Sequence, residues 1–310
     1  MNRNLKITIF GGTGFVGSYL AKFLKSLSFQ CISLGSDDID LCDYQSIKDF
    51  FDQHARPDLL INAAGRVGGI GFNNGANFDQ FWVNAMIGTN VCRAVRDFGI
   101  KNVINLSSSC AYPTTEARPL SENSMYGRDF EPTNSGYALA KYQTSEALKL
   151  VAKETGAKTI TLIPSNIYGP GDNFDIDNSH VLAAMIVKMH HAKQNGLDCK
   201  LWGDGTPVRE FIHVEDFSRA VALIIAKWGE IDFLELNVGS GKSISIMRLA
   251  NELAEIMGFS GNLIFDSTKP NGIFDKTMKI DRLESLGWSS SISLKSGIQQ
   301  TYEYYANHYV

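Results

Sequence analysis

Long apolar runs are missing from this chain. None exceeds seven residues, "AVALIIA" (Ala220 to Ala226) being one of that length, whereas a membrane span needs roughly 18. No membrane partner is therefore expected. Blocks of one charge sign are missing too. No five like charges follow one another and the formal net charge is -4, so nucleic acid is not an expected partner and an anionic ligand has to be gripped locally. The five cysteines, Cys31, Cys42, Cys92, Cys110 and Cys199, form no CxxC pair. That pattern argues against zinc and against disulfides, leaving no metal site and a set of free thiols. The start, "MNRNLKITIF", passes into a strand-like stretch without an apolar signal segment, so the expected location is cytoplasmic. No repeat of roughly 20 to 50 residues and no low-complexity segment is found.

What is present is ample core material. With 44% hydrophobic residues among 310, the chain can bury one large core or two ordinary ones. "LKITIF", "CISL", "DLLIN", "NVINL" and "KTITLI" are continuous apolar segments of the kind buried on both faces of a parallel sheet. Between them run amphipathic stretches at 16 to 27, 46 to 55, 80 to 98 and 136 to 155; in the first, Val16, Leu20, Phe23, Leu24 and Leu27 share one helical stripe. The alternation predicts an α/β fold, a Rossmann-type doubly wound parallel sheet. After about residue 165 the regularity breaks into the loops "YGPGDNFDIDNSH" and "WGDGTPVRE", with helices near 180 to 195 and 214 to 228 and a late strand at "FLELNV". Residues 1–165 are thus expected to form a dinucleotide-binding domain to which segments near 211–238 return. Residues 166–310 are expected to form mainly a smaller, interleaved α/β substrate domain.

"FGGTGFVGSYL" puts Gly11, Gly14 and Gly17 between the first strand and the first helix. Glycines let the backbone approach a pyrophosphate, whose charge meets the helix N-terminus around Phe15 and Val16. At the end of the second strand, Ser36, Asp37 and Asp38 are compatible with a free ribose hydroxyl, as in NAD; they read equally well as a solvated turn before Asp40 and Asp43. "VGSGKS" ends like a phosphate-binding P-loop, but position 236, where the first glycine would fall, is leucine.

"SGYALAKYQ" spaces Tyr137 and Lys141 four apart on one helix face. Moving a tyrosine from about 10 towards 7 takes roughly 4 kcal/mol, and an ammonium near 4 Å at an effective dielectric of about 20 supplies that much. The phenol could then donate a proton to the alkoxide formed when hydride reaches a carbonyl. "NLSSSCAYP" delivers three serines and Cys110 at a strand end, a costly place for polar groups without partners. A buried cysteine is ordinarily an inert small hydrophobe, so Cys110 is either that or chemical.

With "NAAG" (62 to 65), these features resemble the extended short-chain dehydrogenase/reductase family. "AAGRVGGI", "SSCAYP", "EPTN", "PSNIYGPGDNF", "SHV", "WGDGTPVREFIHVED" and "LGW" narrow the resemblance to the GDP-L-fucose synthases, over nearly the whole chain. The resemblance implies epimerisation of a GDP-4-keto-6-deoxyhexose at C3 and C5 and reduction at C4 with NADP(H), NAD(H) remaining open. It implies that Ser108 and Tyr137 bind the C4 oxygen, that Lys141 tunes the tyrosine, and that Cys110 and His180 form an acid/base pair. Further cofactor contacts are implied at Asp40, Ala63, Leu106, Lys141, Pro164, Asn166 and Ile167. Substrate contacts are implied at Asn166, Lys188, Trp202, Arg209, Asn271 and Lys276. The chain departs from the family at Ser107, usually glycine; at Lys188, commonly arginine; at Asn271, usually aspartate; and at "NSGY". It has no basic residue at Thr13 or at 36 to 38. A C4 reductase of a related GDP-4-keto sugar such as a heptose is the alternative reading, and a homodimer is the expected assembly.

Overall fold

The computed structural model describes residues 5–68, 76–125, 129–176 and 178–310. The last two residues of "AAGRVGGI" lie outside them.

Six parallel strands make the central sheet: β1 (Lys6–Phe10), β2 (Gln30–Leu34), β3 (Leu59–Asn62), β4 (Asn102–Leu106), β5 (Lys158–Pro164) and, joining late, β9 (Glu235–Val238), in the order β2-β1-β3-β4-β5-β9. The inner strands are mostly apolar because both faces are covered, whereas the edge strand β2 is partly exposed. Ile7, Ile9, Leu59, Ile61, Ile104, Leu106, Ile160 and Leu162 face a cluster with α1 (Phe15–Ser26) and α6 (Val214–Ala226). Their neighbours Phe10, Leu60 and Val103 face the other side, where α2 (Tyr44–Gln53), α3 (Asn77–Asp97) and α4 (Ser135–Thr155) cover the sheet. Two-residue periodicity thus divides one apolar string between two cores.

Two short sheets follow in the second half. β6 (Asn166–Tyr168), β8 (Val208–His213) and β10 (Ser243–Ser245) form one; β7 (Cys199–Trp202) and β11 (Leu263–Asp266) pair in the other. α5 (Val181–Asn195), α7 (Ile246–Met257) and α9 (Leu294–His308) surround a separate apolar cluster that includes Leu182, Ile186, Leu249, Leu253 and Ile298. The return to the first core reaches beyond residue 238. Ile280 and Leu283, at the start of α8 (Asp281–Ser285), and Trp288 pack there with Leu236 and Val238.

β1 leads to β2 on one side and the chain then crosses to β3 on the other, which opens a crevice at the carboxyl ends of β1 and β3. The two ends approach closely. A Cβ on Gly11, whose φ is +72°, would lie 2.7 Å from the Ala64 backbone, so only glycine fits the turn.

Candidate active site

A cavity of about 470 Å³ lies over that crevice, between the sheet and the second-half elements. Gly11, Gly14, Phe15, Val16 and Gly17 line one end. Gly14 is the N-cap of α1, with no side chain capping the helix and no acidic residue in its first turn. The first N–H groups of a helix have no intrahelical acceptor, so this end faces the cavity as a positive pole. Ala63 and Leu106, from the ends of β3 and β4, line the middle together with Pro164, Asn166 and Ile167.

Asp40 is the exception among the expected cofactor contacts. Its Oδ1 accepts the Cys42 N–H at 2.8 Å, closing a local turn, and the residue does not line the cavity. Asp38 is likewise engaged in its own turn, its Oδ2 accepting the Gly35 N–H at 2.8 Å.

Tyr137 and Lys141 occupy one buried face of α4, as their spacing predicts. Lys141 Nζ donates to Ala64 O at 3.0 Å and Leu106 O at 3.1 Å, which uses two of its three donors at the ends of β3 and β4. The expected pull on the phenol is outweighed. Burial drives Tyr137 well above the usual tyrosine range, Cys110 adds to the rise, and the Ser108 hydroxyl bond only partly offsets it. The ammonium stands 5.8 Å from the Tyr137 ring centroid, bound to carbonyls rather than to the phenol oxygen. Burial also brings Lys141 down to about 8.

Cys110 follows β4 in a short 3-10 turn, Ser109–Ala111, whose N-cap is Ser108; the Ser108 Oγ accepts the Cys110 N–H at 3.2 Å. The partner of the sulfur comes from far along the chain: Lys276 Nζ donates to Cys110 Sγ at 3.3 Å. His180 lines the same cavity as the N-cap of α5, with no side-chain capping bond. Although its surface is accessible from the cavity, the protein around it lowers the imidazole below its ordinary range, and Lys276 lowers it further. The basic residues implied for a diphosphate are also here. Arg209, on β8 and only 8% exposed, donates to Val208 O and Asn271 O and lines the cavity. Lys188 Nζ stands 5.2 Å from the ring centroid of Trp202, and Lys269 Nζ 5.7 Å from the same ring. Asn271 Oδ1 accepts the Asp204 N–H at 2.9 Å, so its side chain shapes the loop while the residue borders the cavity. Asn166 Nδ2 donates to Glu210 O at 2.8 Å, tying β6 to β8.

Glu131, Ser165, Asp172 and Ser179 are among the lining residues that the sequence reading did not single out. They fall within "EPTN", "PSNIYGPGDNF" and "SHV", but nothing in a polar loop's composition signals burial. Ser107, Ser165 and Ser179 each bury an Oγ without a partner, and Asp172 buries an Oδ2 likewise. Together with the uncapped α1 terminus and the glycine turn, these orphaned donors and acceptors fit a dinucleotide and a polar second ligand.

The model of the NAD dependent epimerase/dehydratase family matches residues 7–239. GDP-L-fucose synthase 1 of Arabidopsis thaliana is 37% identical, over 98% of this chain and 94% of that protein. Among solved structures, a GDP-6-OMe-4-keto-L-xylo-heptose reductase from C. jejuni superposes with a TM-score of 0.90 at 27% identity, covering 99% of both chains. A GDP-L-fucose synthetase from Naegleria fowleri bound to NADP gives 0.87 at 26% identity, covering 100% of this chain and 95% of that one. On a match that spans both the glycine turn and the Tyr137–Lys141 helix, this chain belongs to the NAD dependent epimerase/dehydratase family.

Proposed function

We propose that this protein converts GDP-4-keto-6-deoxy-D-mannose to GDP-L-fucose, inverting C3 and C5 and reducing C4 with NADPH. One observation carries the reading: Ser108, Tyr137 and Lys141 line the same cavity as Cys110, Lys276 and His180. A plain reductase needs only the first set; an epimerase that shares its ketone needs both.

The dinucleotide would be held by the α1 terminus, Ala63, Leu106, Lys141, Pro164, Asn166 and Ile167. When bound, it supplies the hydride for C4. The chain's own groups do the rest. Hydrogens beside a ketone become acidic when negative charge on its oxygen is stabilised, and the hydroxyls of Tyr137 and Ser108 are donors suited to that oxygen. Cys110 and His180 then move protons at C3 and C5; an imidazole held below its ordinary range is neutral at pH 7 and can accept one. Tyr137, whose proton burial retains, delivers it to the C4 oxygen at reduction. Arg209 and Lys188 grip the diphosphate, for which a buried guanidinium offers a bidentate fork. We place this activity in the cytoplasm, in a homodimer. Among the described residues no helix is long and apolar enough to cross a membrane.

The likeness to the C. jejuni heptose reductase favours a second reading, reduction of C4 alone on a related GDP-4-keto sugar. Turnover in D₂O with NADPH and NADH in parallel separates the two. The first reading expects deuterium at C3 and C5 together with cofactor oxidation. Reduction without label at either carbon supports the second, and no turnover of the keto sugar with either cofactor overturns both.

A further inference from the structure

Among the described residues that line the cavity, Asp172 carries the one buried carboxylate oxygen without a partner. It follows the turn that leaves β6, its own N–H donating to Gly169 O at 3.2 Å, and it is 4% exposed. Oδ1 accepts the Asn173 N–H at 2.7 Å, while Oδ2 has no partner although the residue lines the cavity. A carboxylate left with one donor in a dry site is costly, and the usual relief is to keep its proton. Burial pushes this carboxyl up to about 7, and the Asn173 N–H only partly offsets that. No charged neighbour is among the causes. The charged and titratable groups Cys110, Glu131, Tyr137, Lys141, His180, Lys188, Arg209 and Lys276 border the same cavity. From α1, the ring of Phe15 is the group beside the turn, 3.8 Å from where a Gly171 Cβ would stand, and the first turn of that helix has no acid.

We propose that Asp172 is a ligand-binding residue: its free Oδ2 accepts a hydrogen bond from a hydroxyl or amide N–H of a nucleotide occupant, and the carboxyl releases its proton in doing so. The proposal rests on the reading of the cavity as a nucleotide site. A second donor stabilises the ionised form, which moves the carboxyl down when the ligand is bound. Binding then releases a proton near pH 7. Affinity therefore rises with pH, by about tenfold between pH 6 and pH 8 if the bound carboxyl titrates below that window. Ribose, sugar and carboxamide groups offer the same chemistry, so two probes are needed: NADH for the dinucleotide and GDP-mannose for the nucleotide sugar.

Titration calorimetry of the wild type and Asp172→Asn with each probe, from pH 6 to 8, tests this. For one of the probes the wild type should gain about tenfold more in affinity over this range than the variant does, and that probe identifies the ligand. Identical pH profiles of wild type and variant for both probes overturn the proposal. Should the variant fail to fold, the wild type decides alone: binding heats at pH 7 that do not change with the ionisation enthalpy of the buffer, for both probes, also overturn it. These measurements need no turnover, so a failed keto-sugar assay and a failed proton count are separate results.

Discussion

Tyr137 and Lys141 share one face of α4 at the floor of the cavity. In the fold, both groups are buried, and Lys141 is bound to the Ala64 and Leu106 carbonyls. Desolvation is the larger effect on each, raising the acid and lowering the base. A consequence for stability follows from the lysine. Its pKa falls from 10.5 to about 8 on folding, so between those values the unfolded chain binds more protons and stability rises with pH. Below pH 8 the charged, buried lysine opposes folding. Lys141→Met should be more stable than wild type at pH 7. Its advantage should shrink by about 3 kcal/mol as pH climbs towards 10.5, at about 1.36 kcal/mol per unit. Urea denaturation of both proteins across that range measures the difference, and a constant gap would show that the lysine carries no desolvation cost.

At the scale of elements, β9 does more than complete the sheet. Asn237 within it is fully buried; its Nδ2 donates to Leu120 O at 3.0 Å and Lys279 O at 2.8 Å, and its Oδ1 accepts the Tyr112 hydroxyl at 2.7 Å. One side chain thus ties the strand to the segment two residues past Cys110 and to the one three residues past Lys276. Asn237→Ala would take the side-chain donor from the Lys279 carbonyl and the acceptor from the Tyr112 phenol, while Leu120 O keeps the Lys279 N–H at 2.8 Å; the expected loss is about 2 to 5 kcal/mol in urea denaturation. Weaker binding of GDP-mannose should accompany it, because the Lys276 segment loses an anchor. A variant within about 0.5 kcal/mol of wild type would contradict this account. None of this network was legible in the sequence, where "FLELNV" reads only as a strand. The sheet itself was legible, since strands covered on both faces are mostly apolar, as β1, β3, β4 and β5 are. In the second half α5, α6 and β9 were legible too, but the short strands and α7 were not. β6 and β10 have three residues each and β7 and β11 four, too few for alternation to register. The stripe of α7, with Ile246, Leu249, Ala250, Leu253 and Met257 buried, carries the ordinary helical period but lies beyond the loops that break the earlier alternation. The site divides the same way. The glycine turn and the YxxxK pair are local patterns, whereas the meeting of Cys110 with a lysine 166 residues away is tertiary and enters no window of sequence.

On the scale of the whole molecule, the surface formed by α3 and α4 calls for a partner. The two helices run parallel: Asn77 at the start of one accepts the Gly136 N–H at the start of the other at 2.6 Å, and further along Gln143 donates to Thr89 at 3.3 Å. Their outer side exposes Phe78 (71%), Trp82 (56%) and Leu139 (43%). Apolar groups grouped in this way on one face mark an association surface more often than free solvent. A second copy meeting it about a two-fold axis would pair α3 and α4 with their equivalents in a four-helix arrangement and bury all three side chains twice over. The same α4 carries Tyr137 and Lys141 on its inner face, so its outer support bears on the site. Light scattering should give twice the chain mass of 34.2 kDa for the wild type. The double variant Trp82→Lys, Leu139→Lys should move to the monomer mass with its circular dichroism retained, since neither residue belongs to a core cluster. Turnover should fall with it, as α4 loses its brace. A wild-type monomer, or a double variant that stays dimeric, would assign this apolar face to some other occupant and remove the link between assembly and the positioning of the catalytic helix.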